Sequence, residues 1–206
     1  MLGRKPALEA QSRSPPPATG CADGGVLDMG GVRTPVTISV VLMGVSGCGK
    51  TAVGRLAAAR LGWPYREGDE LHPAANVAKM AAGHPLDDED RWPWLQAVAA
   101  WIGEREQSRE DALITCSALK RSYRGLLSTD HSSVWFVHLD VDPDVLRARL
   151  RTRRGHFMPP SLLESQLATL QPLGPDQAGA TISADAALDV VVGRVVESLP
   201  AQGQLR

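Results

Sequence analysis

The sequence lacks a long apolar run, a charge excess and a cysteine framework. A membrane-spanning helix needs about 20 consecutive apolar residues, and the longest apolar stretch, around residues 40–43, is only as long as a strand. The net charge of −1 argues against a nucleic-acid partner held by bulk positive charge. Cys21, Cys48 and Cys116 match no zinc-site spacing and are expected to be free thiols. These features predict a cytoplasmic protein without membrane or nucleic-acid partners.

Residues 1–35 contain several Pro and Gly residues and few large apolar ones. Such a segment buries too little apolar surface to offset the entropy lost on ordering, so we expect a disordered N-terminal extension. It lacks the apolar core of a signal peptide. Its early excess of basic residues leaves a transit peptide as an alternative, and Met29 is an alternative start. Residues 36–206 are expected to form one domain, because 43% of the chain is hydrophobic.

Segments with the pattern of strands and helices alternate along this domain. The predicted strands are 36–43, 64–69, 112–115, 133–139 and 180–184. The predicted helices are 50–61, 72–82, 87–106, 119–127, 143–153, one that begins at Ser161, and 188–199. Pro93 suggests a restart within the third helix. This alternation predicts an α/β fold, with a parallel sheet of about five strands covered by helices on both faces.

The segment between the first strand and the first helix fits the phosphate-binding pattern G-x-x-x-x-G-K-[ST] in full. Its residues are Gly44, Val45, Ser46, Gly47, Cys48, Gly49, Lys50 and Thr51. Backbone N–H groups of such a loop face phosphate oxygens. Lys50 is expected to reach the β- and γ-phosphates, and the Thr51 hydroxyl to coordinate Mg²⁺. An N-K-x-D motif, expected of a GTPase, is absent, so we expect ATP to be the nucleotide.

Two carboxylates, Glu67 and Asp69, lie at the end of the second predicted strand. Residues two apart on a strand point the same way, and strand ends line the ligand crevice of a doubly wound sheet. Asp69 could therefore accept a proton from a substrate hydroxyl or help to hold Mg²⁺. The alternative is a helix-capping role before His72.

Three further motifs follow the phosphate loop along the chain: G-D-E-L-H-P at 68–73, C-S-A-L-K at 116–120 and R-R-G-H-F at 153–157. With the phosphate loop, they closely resemble the P-loop gluconate kinases over residues 41–171. The resemblance implies a three-layer α/β/α fold similar to nucleoside monophosphate kinases, with a small helical lid around 153–171. It implies phosphorylation of D-gluconate by ATP to 6-phospho-D-gluconate, which feeds the pentose phosphate and Entner–Doudoroff routes. Family members are often homodimers, which leaves a homodimer open for this chain.

The resemblance also implies roles for individual residues. The expected catalytic residues are Lys50, Asp69 and Arg153, and the expected substrate contacts are Asp69, His72, Asn76, Lys120, Arg124 and His156. A lid arginine, Arg153 first and Arg149 second, is expected to fold over the triphosphate. His72 with Asn76, and Lys120 with Arg124, are each four residues apart and would share a helix face. A solvated helix face is the alternative for each pair.

Two other functions stay open at this point. Acceptor choice can change through few substitutions, so another small-molecule kinase, for shikimate or another sugar acid, is the first alternative. A nucleotide-binding regulator without turnover is the second. ATP binding without acceptor-dependent ADP release would indicate the regulator.

Overall fold

The computed structural model describes residues 37–152 and 160–201. Within these ranges the strands are Ser39–Met43 (β1), Tyr65–Glu67 (β2), Ala112–Thr115 (β3), Val134–Asp140 (β4) and Gly179–Ser183 (β5). The helices are Lys50–Leu61 (α1), Ala74–Ala81 (α2), Asp88–Ser108 (α3), Arg121–Ser128 (α4), Pro143–Thr152 (α5), Pro160–Thr169 (α6) and Leu188–Glu197 (α7). A short 3₁₀ helix, Gly68–Leu71, follows β2. The predicted order of strands and helices is confirmed.

The five strands form one parallel sheet in the order β2-β3-β1-β4-β5. The first strand lies at the centre, and all five of its residues are buried, as expected for a strand that helices cover on both faces. Because every strand runs in the same direction, their carboxyl ends meet at one edge of the sheet. The segments that follow β1, β2 and β3 therefore come together at this edge.

Alternate residues of β1 supply the two halves of the core. Val40 and Leu42 pack into a cluster on the side of α1 and α7. Val41 and Met43 pack into a second cluster, which includes Trp94 of α3. The prediction of a three-layer α/β/α fold is confirmed by this arrangement.

The segment from β2 to α3 differs in detail from the prediction. The strand ends at Glu67, two residues before Asp69, because the chain turns into the 3₁₀ helix at Gly68. The third helix is continuous through Pro93 and does not restart there. A reciprocal capping box fixes its start: Asp90 N–H donates to Asp87 Oδ1 at 2.9 Å, and Asp87 N–H donates to Asp90 Oδ2 at 3.0 Å.

Among the described residues, none of the helices combines the length and the apolar character that a membrane span requires. The predicted N-terminal extension, residues 1–35, lies outside the described residues, as do Arg153 and His156.

Candidate active site

The phosphate loop runs from the end of β1 to the start of α1. Gly44 has a φ of 140°, and a Cβ there would lie 2.9 Å from the Leu139 carbonyl oxygen, so only glycine fits. Lys50, the first residue of α1, folds back over the loop, and its Nζ donates to the carbonyl oxygens of Gly44 at 3.0 Å and Val45 at 3.1 Å. The predicted strand–loop–helix context is thus confirmed.

Some side chains of the phosphate loop are buried in the core, whereas others are exposed. Val45 and Cys48 are buried in the core cluster beside α1, and the Cys48 N–H donates to the Val45 carbonyl at 3.4 Å within the loop. The Thr51 side chain lies on the exposed side of the first turn of α1. This arrangement gives a helix N-terminus with an accessible hydroxyl beside it.

The turn after β2 separates Glu67 from Asp69. The Glu67 carboxylate accepts hydrogen bonds from Tyr65 Oη at 2.7 Å and from Thr115 Oγ1, whereas Asp69 is exposed in the 3₁₀ helix. The expectation that both carboxylates point the same way is wrong, because Asp69 is not on the strand. Asp69 is the carboxylate that is available at the sheet edge.

Gly68 fixes this turn against the sheet and α3. A Cβ at Gly68 would overlap the Thr115 carbonyl oxygen, so glycine alone permits the close approach. Its N–H donates to Thr115 Oγ1 at 3.1 Å, and its carbonyl accepts from Trp94 Nε1 at 2.7 Å. Asp69 therefore extends from a turn that is held on both sides.

His72 and Asn76 connect this turn to α3. The His72 ring stacks on Trp94 with centroids 4.2 Å apart, and burial holds the pKa of His72 below its usual value. Asn76 is buried and donates to the Asp90 carbonyl at 2.7 Å, and its side-chain amide also lies 3.4 Å from His72 Nδ1. The predicted pair does lie together, but the Asn76 amide is used for contacts within the protein.

A cavity of about 370 Å³ opens between the starts of α3 and α4 and the side of α6. The residues that line it are Leu86, Asp87, Asp88, Arg91, Leu119, Lys120, Tyr123, Ser165, Gln166 and Thr169. Of the six predicted substrate contacts, Lys120 lines this cavity. No site role was predicted for Asp88, Arg91 or Tyr123, although Asp88 and Arg91 are three residues apart on one helix face.

Asp88 organises the polar wall of the cavity. Its carboxylate accepts from Lys120 Nζ at 2.6 and 2.8 Å and from Tyr123 Oη at 2.6 Å. These bonds hold the pKa of Asp88 below its usual value. Asp88 is therefore ionised near neutral pH and balances the charge of Lys120.

Arg91 is differently placed in the same wall. Its guanidinium carbon lies 5.9 Å from the centroid of the Tyr123 ring, and its Nε donates to the Leu86 carbonyl at 3.4 Å. Within the described part of the chain, its two terminal nitrogens make no hydrogen bond. Arg91 thus presents a guanidinium end that is available to an anionic ligand.

The phosphate loop and the turn that carries Asp69 both contact residues at the end of β3. Burial raises the pKa of the Cys116 thiol to about 12, and the charges of Asp69, Lys50 and Arg91 also act on it. The Gly44 N–H donates to the Ser117 carbonyl at 3.4 Å, and the Gly68 N–H, in the turn that carries Asp69, donates to Thr115 Oγ1 at 3.1 Å. This places the phosphate loop, the candidate base and the cavity at one end of the sheet.

Arg124 does not lie where the prediction requires it. Its side chain has no exposed surface, because the helix begins at Arg121 and turns residue 124 inward. The guanidinium donates to the carbonyls of Ala118, Leu119, Gln171 and Pro172 and to Gln177 Oε1, at 2.9–3.2 Å. Its donors are used inside the protein, so we leave Arg124 out of the proposed acceptor site.

The helices on either side of residues 153–159 are connected by polar contacts. Arg147 of α5 donates to Glu164 of α6 at 2.8 Å. Arg149 Nη2 donates to the Ala184 carbonyl at 3.0 Å, just beyond β5. On α6, the side chain of Gln166 contacts the phosphate loop at Ser46.

Comparisons with known proteins agree with this geometry. The family model described as shikimate kinase matches residues 46–187. The chain is 48% identical to a gluconokinase of Gluconobacter oxydans, over 79% of this chain and 92% of that protein. It is 42% identical to the thermoresistant gluconokinase of Escherichia coli, over 76% and 90% of the two chains. A crystal structure of a gluconokinase from Sinorhizobium meliloti superposes with a TM-score of 0.71 at 42% identity, covering 80% of this chain and 92% of that one.

Such identity over nearly the full length of its relatives, on one shared fold, leaves no doubt about kinship. The chain belongs to the gluconokinase family of P-loop kinases.

Proposed function

We propose that the protein transfers the γ-phosphoryl group of ATP to the primary hydroxyl of D-gluconate, giving 6-phospho-D-gluconate and ADP. The observation that carries this proposal is the cavity between α3, α4 and α6, which combines an available guanidinium, a lysine–carboxylate pair and a phenol. A sugar acid needs a cation for its carboxylate and both donors and acceptors for its hydroxyls. The kinship with gluconokinases supports the same acceptor.

Arg91 is proposed to bind the gluconate carboxylate. Arginine suits this role because its fork of N–H groups matches a carboxylate with two parallel hydrogen bonds. Lys120, Asp88 and Tyr123 would then contact the hydroxyl groups along the chain of the sugar acid. Because Asp88 already balances Lys120, Arg91 is the stronger candidate for the anionic end.

Asp69 is proposed to orient the primary hydroxyl and to take its proton late in the transfer. The new bond joins the hydroxyl oxygen to the γ-phosphorus as the bond to the β–γ bridging oxygen breaks. Lys50 would bind the β- and γ-phosphates and stabilise the charge that develops on the transferred group. Arg153, Arg149 and His156 stay predictions as lid contacts to the triphosphate and the acceptor.

The residues at the loop fit Mg²⁺. The described residues contain no cluster of three or more His, Cys, Asp and Glu side chains that would form a metal cage. Mg²⁺ that accompanies a nucleotide keeps several waters and needs only one or two protein ligands, and the exposed hydroxyl of Thr51 would supply an oxygen ligand of this kind. When bound, the ion neutralises charge on the β- and γ-phosphate oxygens.

The test is ADP release with ATP and Mg²⁺ across D-gluconate, related sugar acids, shikimate and no acceptor. We expect release that depends on D-gluconate. Release with shikimate instead would contradict the acceptor assignment and favour the reaction named by the matched family model. Tight ATP binding with no acceptor-dependent release would indicate a regulator.

A further inference from the structure

Gln166 makes a two-point contact with one residue of the phosphate loop. Its Oε1 accepts from the Ser46 backbone N–H at 2.7 Å, and its Nε2 lies 3.3 Å from Ser46 Oγ, to which it donates. Two bonds from one planar amide constrain the orientation of Ser46 as well as its distance. The contact spans 120 residues of sequence, so it is a property of the tertiary structure.

The helix that carries Gln166 is anchored on both sides of it. Leu163 is buried in the core cluster that also contains Val45 and Cys48 of the loop. Beyond the helix, the Gln171 N–H donates to the Leu119 carbonyl at 2.9 Å. These contacts hold Gln166 in a fixed position, so its two hydrogen bonds can also fix the position of Ser46 in the phosphate loop.

The same side chain lines the 370 Å³ cavity, with Ser165 and Thr169 on its own helix and Lys120 and Arg91 opposite. Gln166 thus touches both the loop that faces the phosphates and the cavity assigned to the acceptor. A side chain in this position can set the distance between the two reacting groups. Distance matters because a misplacement of about 1 Å can lower a rate about 100-fold.

We propose that Gln166 is a positioning residue, which aligns the phosphate loop with the acceptor cavity through its contacts with Ser46. This role rests on the proposed function in one respect, since the acceptor is taken to be D-gluconate. Gln166 exchanges no proton and forms no bond in the reaction. Its effect is on the alignment of the transferred group with the hydroxyl.

Gln166→Ala tests alignment through the split between kcat and KM. We expect kcat to fall about 30- to 100-fold, with the KM values for ATP and D-gluconate each within about threefold of wild type. The matched control is Gln171→Ala, because Gln171 Oε1 makes the same kind of bond, to the Arg121 N–H at 2.6 Å, outside the phosphate loop. A kcat within threefold of wild type for Gln166→Ala, or an equal loss in the control, would overturn the proposal.

Gln166→Glu gives a second readout that needs no acceptor. Glutamate can still accept from the Ser46 N–H, but it brings a negative charge beside the phosphates, so we expect ADP to bind about tenfold more weakly by calorimetry. Unchanged ADP affinity would contradict contact between Gln166 and the nucleotide end of the site. Wild-type turnover that did not depend on gluconate would contradict the proposed function. It would leave the ADP measurement with Gln166→Glu unaffected, so the role of Gln166 would still be tested.

Discussion

At the scale of single residues, two carboxylates close in sequence have different surroundings. Glu67 is enclosed by hydrogen bonds from Tyr65 and Thr115, and Asp69, two residues later, is exposed at the sheet edge. The difference arises from Gly68, which turns the chain away from the strand. Charge type alone therefore could not distinguish a structural carboxylate from a candidate base.

Asp69→Asn should lower kcat about 10²- to 10⁴-fold, the usual contribution of a positioned general base. The affinity for ATP, measured by calorimetry, should stay within a few-fold, because the phosphate loop is unaltered. Glu70→Gln is the matched control, since Glu70 is exposed in the same turn. Turnover of Asp69→Asn within a few-fold of wild type would show that Asp69 is a turn residue and not a base.

Arg91→Ala should raise the KM for D-gluconate about 10- to 100-fold, because a charged hydrogen bond contributes about 1.5–3 kcal/mol. The KM for ATP should change less than threefold. Steady-state kinetics with each substrate varied in turn will separate these effects. The control is Arg121→Ala, since Arg121 is an exposed arginine that pairs with Asp176 outside the cavity. If Arg91→Ala left the gluconate KM unchanged, the carboxylate would bind elsewhere.

At the scale of elements, Arg124 ties α4 to the segment between α6 and β5. It bonds to carbonyl oxygens at both ends of this contact, at Ala118 and Leu119 on one side and at Gln171 and Pro172 on the other. The hydrophobic pattern predicted α4 itself. It could not predict this contact, because the partners lie up to 53 residues away in the sequence.

Arg124→Met should therefore destabilise the protein rather than weaken substrate binding. Each buried carbonyl left without a donor costs about 1–3 kcal/mol, so we expect the free energy of unfolding to fall by about 3 kcal/mol or more. Urea denaturation measures this change. Arg60→Ala, which breaks an exposed ion pair with Asp189, should have little effect. A stable Arg124→Met variant with a raised gluconate KM would restore Arg124 to the acceptor site.

The sequence predicted best what depends on local pattern. The succession of strands and helices along the chain, the parallel sheet and the phosphate loop all follow from hydrophobic periodicity and one contiguous motif, and they are confirmed. Only part of the cavity lining could be predicted from the sequence, because its wall combines residues from α3, α4 and α6, which are far apart along the chain. Lys120 was assigned through a motif, whereas Arg91 lies among acidic residues that explained it equally well as an ion-pair partner.

At the scale of the whole molecule, strand order explains why the site forms where it does. The order β2-β3-β1-β4 places the segments after β1, β2 and β3 at neighbouring positions along one edge. The phosphate loop, Asp69 and Lys120 follow these three strands in turn. The sheet thus supplies a rigid support for functional groups that are far apart in the sequence.

The sheet also encloses a histidine, and this makes stability depend on pH. His138 of β4 is buried near the phosphate loop, and burial lowers its pKa, with Arg124 acting in the same direction and Asp140 opposing it. Burial likewise lowers the pKa of His72. Because the unfolded chain binds these protons more readily, the stabilisation is present above the usual histidine pKa of about 6.5 and is lost as the pH falls below it.

We therefore expect the Tm, followed by circular dichroism, to fall between pH 7.5 and pH 5. His138→Gln should reduce this dependence, because the group that takes up a proton on unfolding is removed. The control is His84→Gln, since His84 is exposed and should leave the dependence unchanged. Asp87 and Asp88 have lowered pKa values, but their contribution is lost only at more acidic pH. A Tm that stays constant down to pH 5, or a His138→Gln variant with the wild-type dependence, would show that His138 is protonated as easily in the folded protein as in the unfolded chain.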